Sequence, residues 1–165
     1  MPPVNNVTRL LDAKKVKYTA FETPAEKLGA LETARLLNIP LELVYKTIVV
    51  TRAKPGGKPV LAVIPGTGQV DLKSVAAVLG EKKVCMPTER EAEALTGLQA
   101  GGISPLALIN KGFQVWIDSS AQSHAEINVS GGQRGLNIRL PVKALVELTH
   151  ARFAAISAPL AGDET

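Results

Sequence analysis

The chain has 165 residues, 45% of them hydrophobic and 21% charged. That is the balance of one globular domain large enough to bury a core, and no apolar run reaches the ~20 residues that a membrane-spanning helix needs. One cysteine, Cys85, excludes an internal disulfide, and the two separated histidines offer no metal-ligand spacing, so neither a metal nor another cofactor is expected.

The net charge of +4 arises from 19 basic and 15 acidic residues that are interleaved, which by itself describes a solvated surface. Only the pairs Lys14-Lys15 and Lys82-Lys83 concentrate positive charge, and either can contact phosphate or simply face water. The start, Met1-Pro2-Pro3-Val4-Asn5-Asn6, lacks the basic end and apolar stretch of a secretory signal, so a cytoplasmic protein without membrane attachment is expected.

Along the chain, Val7, Leu10, Leu11 and Lys14 follow helical spacing, and residues 18–22 read as a short strand. A second helix is expected over 30–38, stopping before Pro40, whose ring disfavours helical geometry in the preceding residue. Thr47-Ile48-Val49-Val50 is β-branched throughout, and Pro55-Gly56-Gly57 separates it from the apolar run 60–64, which together predict a hairpin. Asp71 is placed to cap a helix over 72–79 that Gly80 ends, and Thr88 with Glu91 forms a capping box for a helix ending near Gly97.

Strands are predicted over 114–118, 126–130 and 136–140, followed by a helix that Pro141 opens and that runs to about Thr149. Residues 158–165 read as a frayed tail. Hairpins and separated helices point to an α+β, mixed α/β fold rather than a doubly wound sheet, in a single domain over 1–165.

Three segments carry the chemistry. In Val44-Tyr45-Lys46-Thr47 a lysine stands at the mouth of an apolar strand. Burying an ammonium without a partner costs several kcal/mol, so an inward Lys46 needs an anion, whereas strand alternation alone favours sending it to solvent while Tyr45 packs inside. Gly101-Gly102-Ile103-Ser104-Pro105 can bring backbone N–H groups close to a ligand, in the manner of an oxyanion hole, or it is a plain loop. Ser104 is not placed as a nucleophile, because the second glycine of the Gly-x-Ser-x-Gly elbow is missing. Ser130-Gly131-Gly132-Gln133-Arg134-Gly135 lacks the Gly-Lys-Ser/Thr ending of a phosphate loop and reads first as a hairpin turn.

In this order and spacing, the three segments resemble the YbaK family of free-standing aminoacyl-tRNA deacylases, relatives of the editing domain of prolyl-tRNA synthetases, from about Leu10 to Leu148. The resemblance implies a curved, mixed, barrel-like sheet surrounded by helices. It implies that Lys46 is the catalytic residue, matching the family lysine and outweighing the solvent-facing reading. Ala20, Thr47, Gly101, Gly102, Ile103, Ser104, Pro105, Ser130, Gly131, Gly132 and Asn137 become the substrate-binding set, with Arg134 facing solvent or bracing its turn.

The activity implied is trans-editing: release of cysteine from Cys-tRNA(Pro) by the substrate's own thiol, which leaves as a thiolactone. The partner is the acceptor end of an aminoacylated tRNA, with prolyl-tRNA synthetase as a transient companion. Three positions depart from the family pattern: Ala20 stands where a tyrosine is frequent, Leu28-Gly29 where an aromatic is, and Asn137 where an acid is. The pocket wall differs accordingly. Alanine, serine or threonine on tRNA is the alternative substrate, and a non-catalytic tRNA- or synthetase-binding module, or an esterase using Ser104 or Ser123, the alternative function.

Other reactive residues read as structural. Asp118, Ser119, Ser120, Ser123 and His124 contain the residue types of a hydrolytic triad but are crowded into one polar loop. His150 falls at a helix end, as a cap or as an exposed side chain. Cys85 is expected as a small core residue, and Trp116, between Val115 and Ile117, as core rather than a base-stacking platform.

Overall fold

The computed structural model describes residues 3–53 and 56–160. Its helices begin and end where side chains satisfy the orphaned backbone groups. In α1 (Asn6–Ala13) the Thr8 N–H donates to the Asn5 side chain at 3.0 Å, and the Asn5 N–H donates to the Thr8 hydroxyl at 2.9 Å. Helix α2 (Ala30–Leu37) stops on Asn38, left-handed at φ +56°. Helix α3 (Leu72–Leu79) is capped by Asp71, and α4 (Glu89–Thr96) by the reciprocal pair Thr88 and Glu91. Helix α5 (Val142–Thr149) ends on exposed His150 in the left-handed region, so that histidine fills both roles foreseen for it. No described helix is long and apolar enough to cross a membrane.

Ten strands are formed among the described residues: β1 (Thr19–Glu22), β2 (Tyr45–Arg52), β3 (Val60–Pro65), β4 (Gly68–Val70), β5 (Val84–Cys85), β6 (Gln114–Asp118), β7 (Glu126–Ser130), β8 (Leu136–Pro141), β9 (Arg152–Ala154) and β10 (Ser157–Pro159). The expected hairpin is β2–β3, antiparallel from Tyr45–Pro65 to Val50–Val60. It lies in a mixed five-stranded sheet ordered β5-β2-β3-β6-β9, in which β3, β6 and β9 run parallel. A second, antiparallel sheet has the order β1-β8-β7. One parallel bridge between Val44 and Asn128 joins the two sheets where β2 begins.

Strand β3 explains the layering. Leu61 and Val63 pack into one core with α1, β7, β8 and α5, while Val60, Ala62 and Ile64 pack into another with α3 and Trp116. A strand covered on both faces reads as a continuous apolar run, as 60–64 does. The mixed α+β architecture is the one expected.

Local expectations change in three places. The tail does not begin at 158: Ala158 and Pro159 pair with Gln69 and Gly68, and residues 161–165 lie outside the described residues. A Cβ at Gly68 would come within 2.8 Å of the Ala158 carbonyl oxygen, so this strand pair requires glycine there. Cys85 is exposed rather than core, because β5 is an edge strand whose alternation buries Val84 instead. Pro141 ends β8 and caps α5 from outside the first turn. Pro55, the first of the three residues of the expected hairpin turn, falls outside the described residues.

Candidate active site

The chain enters β2 from a 3-10 turn, Leu41–Leu43, and alternation then divides its first residues. Tyr45 is buried, with its hydroxyl 2.7 Å from Ser120 Oγ and its ring edge-on to His124 at 6.5 Å. Burial pushes its phenol above the ordinary tyrosine value. Lys46, half-buried, lies on a cavity of about 250 Å³ rather than in open solvent. Both readings of the strand pattern therefore hold in part.

Lys46 is the one charged side chain in the cavity lining, and no ion pair forms to it among the described residues. Removal from water holds its ammonium below the usual lysine range. Beside it the Thr47 hydroxyl is buried without a hydrogen-bond partner. A cation without a counter-ion suits a ligand that supplies oxygen atoms, whereas the Thr47 hydroxyl is itself closed off from solvent.

The remaining lining comes from Leu28 and Gly29 before α2, Ala30 and Thr33 within it, Val44 and Tyr45 before the lysine, Ala100, Gly101 and Ile103, and Ser130 and Asn137 across the second sheet. Of the residues anticipated from sequence, Lys46, Thr47, Gly101, Ile103, Ser130 and Asn137 are brought together here. Ala20, Gly102, Ser104, Pro105, Gly131 and Gly132 do not line the cavity. Ala20 pairs with Ile138 and packs on the core, while its neighbour Phe21 pairs with Asn137.

The glycines instead let two loops press together. A Cβ on Gly102 would lie 2.8 Å from Gln133 Cα, 3.0 Å from its carbonyl carbon and 3.1 Å from Arg134 N. Arg134 reaches back to donate its Nε–H to the Ala100 carbonyl at 2.7 Å, so it braces the facing loop. A Cβ on Gly131 would meet Leu136 Cγ at 2.4 Å, and one on Gly132 would meet Val7 Cγ2 at 3.0 Å. Ser104 is fully buried, its Oγ accepting the Leu106 N–H at 3.1 Å. These residues stiffen the wall from behind.

Ala30, Thr33 and Ala100 escaped the sequence reading: the alanines carry no reactive group, and the Thr33 hydroxyl donates to the Gly29 carbonyl. Asn128 and Arg139 escaped it too. Asn128 donates its Nδ2–H to Asn137 Oδ1 at 2.8 Å, and Arg139 donates its Nε–H to Asn128 Oδ1 at 3.0 Å. The period-2 alternation of 126–130 and 136–140 was the available signal, since it puts Asn128, Ser130, Asn137 and Arg139 on one face.

The polar loop after β6 is structural. Asp118 accepts the N–H groups of Ile156 and Ser157 at 3.0 Å and of Ser120 at 3.2 Å. Burial raises its carboxyl, but the hydrogen bonds outweigh that and hold it below the ordinary value. Ser123 donates to the Ser120 carbonyl, so no Ser-His-Asp chain forms among the described residues. A larger depression of about 650 Å³ is lined by Arg52, Lys58 and Glu81, and there the Arg52 guanidinium is already engaged, donating to Glu81, Gln114 and the Lys58 carbonyl. Among the described residues no group of three His, Cys, Asp or Glu side chains is gathered that could hold a metal ion.

The family model described as the aminoacyl-tRNA editing domain matches residues 24–148, a span that contains every residue of the Lys46 cavity. The chain belongs to the aminoacyl-tRNA editing domain family. It is 38% identical over 154 residues, 92% of each chain, to EbsC of Enterococcus faecalis, named as a candidate Cys-tRNA(Pro)/Cys-tRNA(Cys) deacylase.

Among solved structures, a hypothetical protein, APE2540, superposes with a TM-score of 0.84 at 24% identity, covering 93% of this chain and all of the other. A candidate trans-editing enzyme for prolyl-tRNA synthetase gives 0.77 at 23% identity, covering 94% and 99%. At such identities these two matches establish the fold. In this editing domain the lysine of β2 and the two facing loops thus enclose one cavity.

Proposed function

We propose that this protein is a trans-editing aminoacyl-tRNA deacylase that removes cysteine from Cys-tRNA(Pro) in the cytoplasm, working beside prolyl-tRNA synthetase in a transient complex. Membership of the editing-domain family and the similarity to EbsC support the reaction class. The observation that carries the reading is Lys46, the single charged side chain of a cavity whose lining contains no His, Asp or Glu. Such a site orients and neutralises; it does not attack.

An aminoacyl ester is already activated, so orientation and charge stabilisation suffice. In the cysteine reaction the substrate thiol bonds to its own carbonyl carbon, the ester C–O bond breaks, and the thiol proton passes to the departing ribose oxygen. A thiolactone and free tRNA result. Lys46 anchors the terminal nucleotide through phosphate or ribose oxygen, and the wall at Gly101 and Ile103 holds the aminoacyl group. Gly29, where added bulk would meet nothing within 4 Å, leaves that wall open. For this reason alanyl-, seryl- and threonyl-tRNA belong in the same test.

The test is single-turnover deacylation of Cys-tRNA(Pro) beside a seryl counterpart, with the product identified by mass. A thiol deprotonates far more readily near neutral pH than an alcohol, so cysteinyl-tRNA should react much faster although the side chains are close in shape. Equal rates, or free cysteine as the first product, would leave water as the attacking group. Binding without turnover would make the chain a recognition module, and turnover of simple esters alone an esterase.

A further inference from the structure

On the sheet β1-β8-β7 one face is a row of polar side chains that ends at the Lys46 cavity. The register sets Asn128 opposite Arg139, Ser130 opposite Asn137, and Phe21 opposite Asn137 from the other side. Their neighbours Ile127, Val129, Ile138 and Leu140 take the core face.

The hydrogen bonds along this row run in one direction, and chemistry fixes that direction. A guanidinium has donors and no acceptor. Arg139 lies over the Phe21 ring at 5.4 Å and donates to Asn128, so the atom of Asn128 that it meets is the carbonyl oxygen. Asn128 is fully buried, and its other group, the NH2, reaches Asn137. Asn137 must therefore accept through its oxygen, which leaves its own NH2 without a partner among the described residues, on a side chain that lines the cavity. Exchanging oxygen and nitrogen at either amide would set donor against donor or acceptor against acceptor in a buried chain.

We propose that Arg139 and Asn128 are positioning residues that hold Asn137 as a hydrogen-bond donor to an acceptor oxygen of the bound aminoacyl ester. This rests on the deacylase reading above. The wall then presents an ammonium from Lys46 and an amide NH2 from Asn137, with no carboxylate in the lining. It is complementary to carbonyl and ribose oxygens. The neutral Asn137, standing where the family often carries an acid, gives a donor at the place where a carboxylate would only accept.

One arm of the test needs no substrate. In nitrogen-15 labelled protein, the Asn128 amide protons should be protected from exchange with water and those of Asn137 should exchange rapidly; the reverse pattern overturns the orientation. The second arm is Asn128→Asp, which keeps the shape and the contact to Arg139 but offers Asn137 an oxygen, so that Asn137 must turn its NH2 inward and its own oxygen toward the cavity.

The expected result is at least about a tenfold loss in kcat/KM on Cys-tRNA(Pro), with an unchanged or raised urea midpoint. Asn137→Asp, which places an oxygen there directly, should lose activity to a similar degree. A purely structural role would make activity follow stability. Full turnover by folded Asn128→Asp, with an active wild type, overturns the positioning role alone. A wild type that cleaves no mischarged tRNA overturns the deacylase reading and, with it, the ester as ligand, while the exchange pattern still reads the orientation.

Discussion

Replacing Lys46 by methionine separates function from stability, because the structure assigns opposite signs to the two effects. Methionine keeps most of the aliphatic stem and removes only the ammonium. If that ammonium anchors substrate oxygen, its loss forfeits a charge-assisted hydrogen bond of roughly 1.5–3 kcal/mol, so deacylation should fall about 10- to 150-fold. Stability should move the other way. Burial lowers the pKa of Lys46, with no ion pair to it among the described residues, so the folded chain binds this proton less tightly than the unfolded chain does.

The resulting penalty is fully present below the folded-state pKa and disappears as pH rises through it toward the ordinary value of about 10.4. At neutral pH Lys46→Met should therefore be at least as stable as the wild type, with an equal or higher Tm. The gap should close in melts above the ordinary lysine pKa. Single-turnover deacylation and paired urea melts at the two pH values read both signs. Near-normal turnover by the folded variant removes Lys46 from the mechanism, and a clear loss of stability at neutral pH refutes the uncompensated-charge argument.

Two further outcomes test the walls. Gly102→Ala puts a Cβ 2.8 Å from Gln133 Cα, against backbone that no rotamer change can move aside, so urea unfolding should show a loss of about 1–3 kcal/mol; an unchanged midpoint would mean that the loops are not pressed together as described. Exposed Cys85→Ser should retain activity, and Ser104→Ala, which removes the acceptor for the Leu106 N–H, should cost about 1 kcal/mol with a modest fall in rate; abolished turnover by folded Ser104→Ala, or a trapped acyl-enzyme, would favour the esterase.

Where local rules dominate, the fold was legible in the sequence. Caps at Asp71 and Thr88, the stop before Pro40, and the β-branched run at 47–50 each name their element, because the signal and the structure lie within a few residues of each other. The short strands β4, β5, β9 and β10 were not legible. Each has only two or three residues and is held by partners distant in sequence, as Ser157 is by Val70, so no periodicity can develop within it.

The site shows the same division. Lys46, Thr47, Gly101, Ile103 and Ser130 stood within motifs and reach the cavity, as does Asn137 just beyond the third. For the Gly-Gly pairs, the residue type was informative but its purpose was not. Glycine announces close approach without saying what approaches, and at Gly102 it is the backbone of Gln133 and Arg134 rather than a ligand.

What decides that Lys46 faces the cavity is the residue before it. Slipping a strand by one position exchanges its faces, so the lysine is only as well placed as the register of β2. Tyr45 supplies that register: its ring is buried, its hydroxyl meets Ser120, and its backbone pairs with Pro65 at the end of the hairpin. One residue earlier, Val44 bridges Asn128 and accepts the Gly66 N–H at 2.7 Å, while a Cβ on Gly66 would come within 2.7 Å of Leu41 Cδ1. A one-residue slip would carry the ammonium to the buried position that the tyrosine ring fills, at a cost of several kcal/mol for the buried charge alone. The seam where the two sheets join thus makes the unfavourable placement of Lys46 the least unfavourable arrangement available, and the cavity inherits a fixed positive charge.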